Sequence, residues 1–382
     1  MHLNREGGVF VSHEYAAFRL KFRSRHDPTL AAGRIRTSGR TPHAAENSRP
    51  ENRRMRPVQT IESGMISSLQ PPFFQALGDS KRVLLAGMGG GFDVFCGLPL
   101  YFALREQGME VTLANLSFTS FHPLDPQPLT PSLLLVTPDL PPHGRTYFPE
   151  LHLARWLDAV GEPARVFAFE KTGVQPLLGS YRALVQQLSA DTVILVDGGT
   201  DALMRGDEAD LGTPHEDAVS LTAVNELDGV RSFMVSLGFG IDAFHGVSHW
   251  NVLEATAEIA RAGGFLGAFS LTPDMEPVQK YREACEAVFR QMPRHVSIVN
   301  ASILGAILGE YGNIHATDRT GDSELWINPL MAQYWCYDLP AVAGRLQYRK
   351  ALLGTHTMSQ VDQVIHAHRE GIALRSRHIL PI

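Results

Sequence analysis

Cysteine is scarce in this chain. The three cysteines, Cys96, Cys285 and Cys336, are widely separated among 382 residues and form no CxxC pair. That spacing argues against a disulfide framework and a cysteine zinc site, and fits reduced thiols. Long apolar runs are also missing. The longest reach about six to eight residues, against the ~20 that cross a bilayer, and no early apolar stretch follows basic residues as in a signal peptide. The expectation is a cytoplasmic protein with no membrane partner. There is no GxSxG elbow, which disfavours a serine hydrolase of the usual type, and no internal repeat.

What is present is a hydrophobic content of 44%, enough for an ordinary buried core, and an uneven distribution of charge. Residues 1–54 hold eleven Lys/Arg against five Asp/Glu, leaving 23 against 35 for the rest, so a head of +6 precedes a body of −12. An acidic body repels phosphate backbones, and nucleic acid is not expected as a partner. The head, "RSRHDPTLAAGRIRTSGRTPHAAENSRPENRR" in its main part, lacks apolar periodicity and is expected to be disordered. A basic arm and a transit peptide are the sharper alternatives. A start at Met55 or Met65 explains the head most simply.

From residue 82 short apolar runs alternate with amphipathic stretches, which predicts a Rossmann-like, doubly wound α/β fold with a mainly parallel sheet and helices on both faces. Strands are expected at 82–87, 110–116, 133–137, 165–170, 192–199, 232–238 and 265–271. Helices are expected at 93–107, 150–160, 175–189, 216–227, 248–262, 276–291, 298–310 and 359–375. The Pro-rich segment 121–132 reads as a loop, and the chain after 312 as less regular. One domain over 66–350 and a C-terminal helix and tail over 351–382 complete the division.

Three loops follow strands and carry polar groups. In "GMGGGFD" the glycines Gly87, Gly89, Gly90 and Gly91 precede Asp93 at the start of a helix, where amides favour an anion and glycine lets a ligand approach the main chain. Phe92 stands where the dinucleotide fingerprint has its third glycine, and no Lys-Ser/Thr follows to make a phosphate loop. The second strand ends on Asn115 without a carboxylate for a ribose, which weighs against NAD and against the usual methyltransferase pattern. Asp93 reads either as a helix N-cap or as a contact to a hydroxyl, an amine or a cation.

In "ILVDGGTDALMRGDEADLGTPHEDAVSL" a buried strand runs through Asp197, Gly198, Gly199 and Asp201 into Asp207, Glu208, Asp210, Glu216 and Asp217. Carboxylates that converge need a positive partner: Mg²⁺ or another divalent cation on Asp197, Asp201 and Asp207, or Arg205. The alternative reading has the later acids solvated, with Glu216 and Asp217 favouring the first turn of a helix. In "SLGFGIDAFHGVSHWNVLEA" the candidates are Gly238, Asp242 and His245, with His245 read either as a general acid or base or as a structural residue capping the helix. His245 and His249 are also spaced for a metal, though without a third ligand nearby in the sequence. Late in the chain Asp318, Arg319, Asp322 and Glu324 could close the crevice, with Trp326 stacked on a flat ligand or filling a core; apolar surface around Trp335 suggests a homodimer.

With these loops laid out, "LLAGMGGGFDVFCGLPLYFALREQG", "VDGGTDALMRGDE" and "LGTPHEDAVSL" resemble the domain of unknown function family 1152 over about residues 66–350. The resemblance implies a Rossmann-like fold and assigns no catalytic residue. The residues themselves point to an enzyme of group transfer or hydrolysis that binds a polar, nucleotide- or sugar-like metabolite, with Asp197 and Asp201 catalytic. A non-catalytic metabolite sensor and an NAD-dependent oxidoreductase are the alternatives.

Overall fold

A computed structural model describes residues 69–121, 128–141, 147–320 and 325–380, and the backbone of Arg23–Ser24. Most of the basic head, and Asp322 and Glu324, lie outside the described residues. Arg23–Ser24 pairs antiparallel with Gly312–His315, which pairs in turn with Trp326–Ile327.

Eight strands form the main sheet: β1 (Arg82–Gly87), β2 (Glu110–Ser117), β3 (Leu133–Val136), β4 (Val166–Glu170), β5 (Thr192–Asp197), β6 (Arg231–Leu237), β7 (Phe265–Ser270) and β8 (Gln333–Asp338). Their spatial order is β3-β4-β2-β1-β5-β6-β8-β7. The five strands β4, β2, β1, β5 and β6 are mutually parallel; β3 runs antiparallel at one edge, and β8 lies antiparallel between β6 and β7. The chain winds outward from β1 through β2 to β4, then returns to place β5 on the other flank of β1. This reversal opens a crevice beyond the carboxyl ends of β1 and β5.

The central strands are apolar throughout because both faces are covered. Along β1, Val83 and Leu85 pack into one core, while Leu84 and Ala86 pack into the other. The first core holds α1 (Asp93–Cys96), α2 (Leu98–Glu106), α3 (Pro149–Ala159), and further along the chain α7 (Glu276–Gln291) and α8 (Ile298–Ile307). The second holds α4 (Val174–Leu188), α5 (Pro214–Asn225), α6 (His249–Arg261) and the C-terminal α9 (Met358–Glu370). The expected helix over 93–107 is divided at Gly97, whose missing side chain leaves room for Leu85 and Val196 below it.

Strand β8 is the strand of the main sheet not expected from the pattern. Its Tyr334, Cys336 and Tyr337 are buried, and the Tyr334 hydroxyl donates to the Cys96 carbonyl. Trp335, expected on an apolar surface, is half-buried and stacked on Phe239 at 5.6 Å. No described helix is long and apolar enough to cross a membrane.

Candidate functional site

β1 ends on Gly87 and β5 on Asp197, neighbours across the switch point, so the two loops that follow converge. A cavity of about 580 Å³ opens there, lined by Gly89, Gly90, Gly91 and Asp93 from the first loop and Asp197, Gly198 and Asp201 from the second. Asp242 and His245 reach it from the turn after β6, and Glu216 and Asp217 from the start of α5. Asp93, Asp197 and Asp217 each bring a carboxylate oxygen within 4.8 Å of the others, close enough for one cation to touch all three.

The glycines serve the carboxylates. The Gly89 amide donates to Asp93 Oδ2 at 2.7 Å, so the anion it cradles belongs to the protein. A Cβ on Gly89 would lie 2.6 Å from Asp217 Oδ1 and 2.7 Å from Asp93 Oδ2; one on Gly198 would lie 2.7 Å from Asp93 Oδ1, and one on Gly199 2.7 Å from Asp242 Oδ2. Only residues without side chains let these acids approach the main chain. Asp93 is the first residue of α1, and the N-cap position is taken by Phe92. Thr200 N–H donates to Asp242 Oδ2 at 2.7 Å, the Thr213 amide and hydroxyl hold Asp201 Oδ2 at 2.8 and 3.0 Å, and Ser236 donates to Asp197 at 3.3 Å. Asp217 is 3% exposed, yet its Oδ1 has no hydrogen-bond partner among the described residues.

Electrostatics follow from burial. Desolvation pushes Asp93 up to about 7, against the pull of the Gly89 amide, and the charge of Asp201 adds to the rise. Burial and neighbouring acids hold Asp197, Asp217 and Asp242 well above the usual carboxylate range, and burial raises Asp201 too. His245 is lowered by burial, with Asp201 opposing, which keeps the imidazole neutral at neutral pH.

Several expected residues stand elsewhere. Asp207, expected as a metal ligand, is paired with Arg205 at 3.0 Å and Arg375 at 2.8 Å, and these guanidinium groups hold its pKa down to about 2. Arg205 is committed to Asp207 and Glu258, so it does not balance the cluster. Asn115 and Gly87 lie behind the glycine turn: the Asn115 amide donates to the Gly91 carbonyl and to Glu150, both at 2.8 Å, and the bare Gly87 makes room for it. Gly199 supports Asp242 from behind, and Gly238, at φ 112°, shapes the turn after β6 against Ile241 and Ile303. His249 begins α6 with its ring edge-on to Phe239 and is not among the cavity-lining residues. Trp326 packs against Tyr311 and does not line the cavity.

Sequence reasoning placed Glu216 and Asp217 in the first turn of a helix, where they stand, and left them out of the site. A signal against that lay in "AVSLTAV" directly after them: α5 is buried almost all round, so its first turn is buried with it. Phe118, Tyr147 and His295, which also line the cavity, carried no local signal.

Fold and site together define a Rossmann-like α/β protein with an acidic cavity at the sheet's switch point. The chain belongs to the family of proteins of unknown function DUF1152, whose model matches residues 84–372. No curated protein and no solved structure matches it.

Proposed function

We propose that this chain is an enzyme of hydrolysis or group transfer, acting on a polar metabolite held in the cavity together with a divalent cation. The observation that carries the reading is the convergence of Asp93, Asp197 and Asp217, with Asp217 Oδ1 buried and without a hydrogen-bond partner among the described residues. Buried acids at this spacing repel one another unless protons or a cation intervene, and oxygen ligands alone suit Mg²⁺, Mn²⁺ or Ca²⁺. Asp93, Asp197 and Asp217 would hold the cation, which would supply Lewis-acid polarisation of the substrate's electrophile. Neutral His245 takes the proton of the attacking water or hydroxyl as its oxygen bonds to the electrophile, and the leaving group departs with the bond electrons. Asp201, near enough for its charge to raise the imidazole's basicity, steadies the imidazolium. Asp242, held by the Thr200 amide, keeps the turn that carries His245 against the Asp197 loop.

The test is thermal melting with and without MgCl₂ at pH 8. At ~100 times its dissociation constant the cation adds ~2.7 kcal/mol of stability, a shift of several degrees. The wild type is expected to show it and Asp217→Asn to lose it. An equal shift in both would place the cation elsewhere.

A further inference from the structure

The carboxylates line only one part of the cavity. Another part is built from Phe118, Tyr147, His295 and Arg319. Phe118 follows the last residue of β2, where a dinucleotide fold has its ribose-binding acid, and is 47% exposed although large and apolar. Its ring stacks on Tyr147 with centroids 6.1 Å apart and planes 25° apart. It rests on Gly90 and Gly91, at φ 93° and 61°, where a Cβ on Gly90 would lie 2.5 Å from the ring. An exposed ring seated on two glycines and backed by a second ring is a stacking platform for a flat group.

Cations border this platform. The Lys171 ammonium lies over the Phe118 ring, 4.8 Å from its centroid, and pairs with Glu216. Arg319 lines the cavity and donates from one guanidinium nitrogen to the Val296 carbonyl at 3.1 Å. Tyr147 feels the negative charge of Asp93 and the positive charge of Arg319, which sets it between the acidic and basic parts. An organic amine would meet Arg319 and Lys171 with like charge. An anion bridging from these groups to a cation on the acids has both ends matched.

Resting on the proposed cation site, we infer that the substrate is the divalent-cation complex of a nucleoside phosphate, its base on Phe118 and its phosphate between the cation and the Arg319 side. A cavity of about 580 Å³ is of the size that encloses such a ligand. The glycine turn does not hold the phosphate, since the Gly89 amide is taken by Asp93.

Calorimetry of the full chain tests this with ADP, GDP, CDP and UDP, each with and without MgCl₂, and with ribose 5-phosphate as the phosphate that lacks a base. At least one nucleotide is expected to bind, at least tenfold tighter with Mg²⁺ than without, and tighter than ribose 5-phosphate. Phe118→Ala is expected to weaken that nucleotide about tenfold, the scale of one lost stacking contact, while MgCl₂ alone still raises its melting temperature. If Mg²⁺ alone stabilises the protein but no nucleotide binds, or ribose 5-phosphate binds as well and Phe118→Ala changes neither, the nucleotide inference is overturned and the cation site stands. If Mg²⁺ neither stabilises the protein nor tightens any nucleotide, both readings fall.

Discussion

Asp93 shows how burial makes the acids of this site hold protons. Its carboxyl is pushed up to about 7 from an ordinary value of 3.8, so between these limits the native state holds a proton that the unfolded chain has released. The unfolded state then binds fewer protons, and stability falls as pH rises through that window, by at most about 1.4 kcal/mol per pH unit for each such group. Asp197, Asp217 and Asp242, also held well above the usual carboxylate range by burial and neighbouring acids, contribute falls of the same sign. A divalent cation displaces these protons, so its stabilising effect grows as pH rises. The cation-free protein is therefore expected to melt at a higher temperature at pH 5.5 than at pH 8, with the Mg²⁺ shift larger at pH 8. A Mg²⁺ shift that is the same at both values would contradict this. Gly89 offers a second test. Its φ lies outside the left-handed region, so Gly89→Ala meets no backbone penalty, but the new Cβ collides with oxygens of Asp93 and Asp217. We expect the variant to fold and to bind Mg²⁺ at least tenfold more weakly by calorimetry.

Elements place these residues. The ends of β1 and β5 were legible from the sequence because apolar runs stop abruptly at Gly87 and Asp197, and a doubly wound sheet brings such ends together. The alternation of runs likewise indicated a mainly parallel sheet. Asp217 was harder to read, because carboxylates in a first turn are common on exposed helices and its carboxylate is buried against the Gly89 turn, remote in the chain. Strand β8 was obscured because its short run Tyr334–Tyr337 has no apolar–polar alternation and lies inside a stretch that reads as irregular. Asp207 looked like a ligand until the tail supplied Arg375, which donates to Asp207 at 2.8 Å, to Glu208 at 3.0 Å and to Glu254. This arginine fastens the residues after α9 to the loop that carries Asp201. Arg375→Ala leaves the buried Glu208 short of a charged partner and is expected to cost about 1–3 kcal/mol in urea denaturation. Mg²⁺ affinity should persist, since Asp93, Asp197 and Asp217 stand on other segments.

At the scale of the whole molecule, the acidic body raises the local concentration of cations and opposes anionic ligands, so an anion reaches the cavity best when a metal has already offset the carboxylates. On the proposed function, Asp93, Asp197 and Asp217 share one divalent ion. Diffraction from crystals grown with MnCl₂ tests it most directly, because manganese can be located by its anomalous scattering. The prediction is a single peak at the switch point, in contact with an oxygen of each of the three carboxylates at about 2.0–2.3 Å, with the Asp217 Oδ1 partner thereby found. A site that remains empty at saturating MnCl₂, with Asp217 Oδ1 hydrogen-bonded to a protein donor, would contradict it.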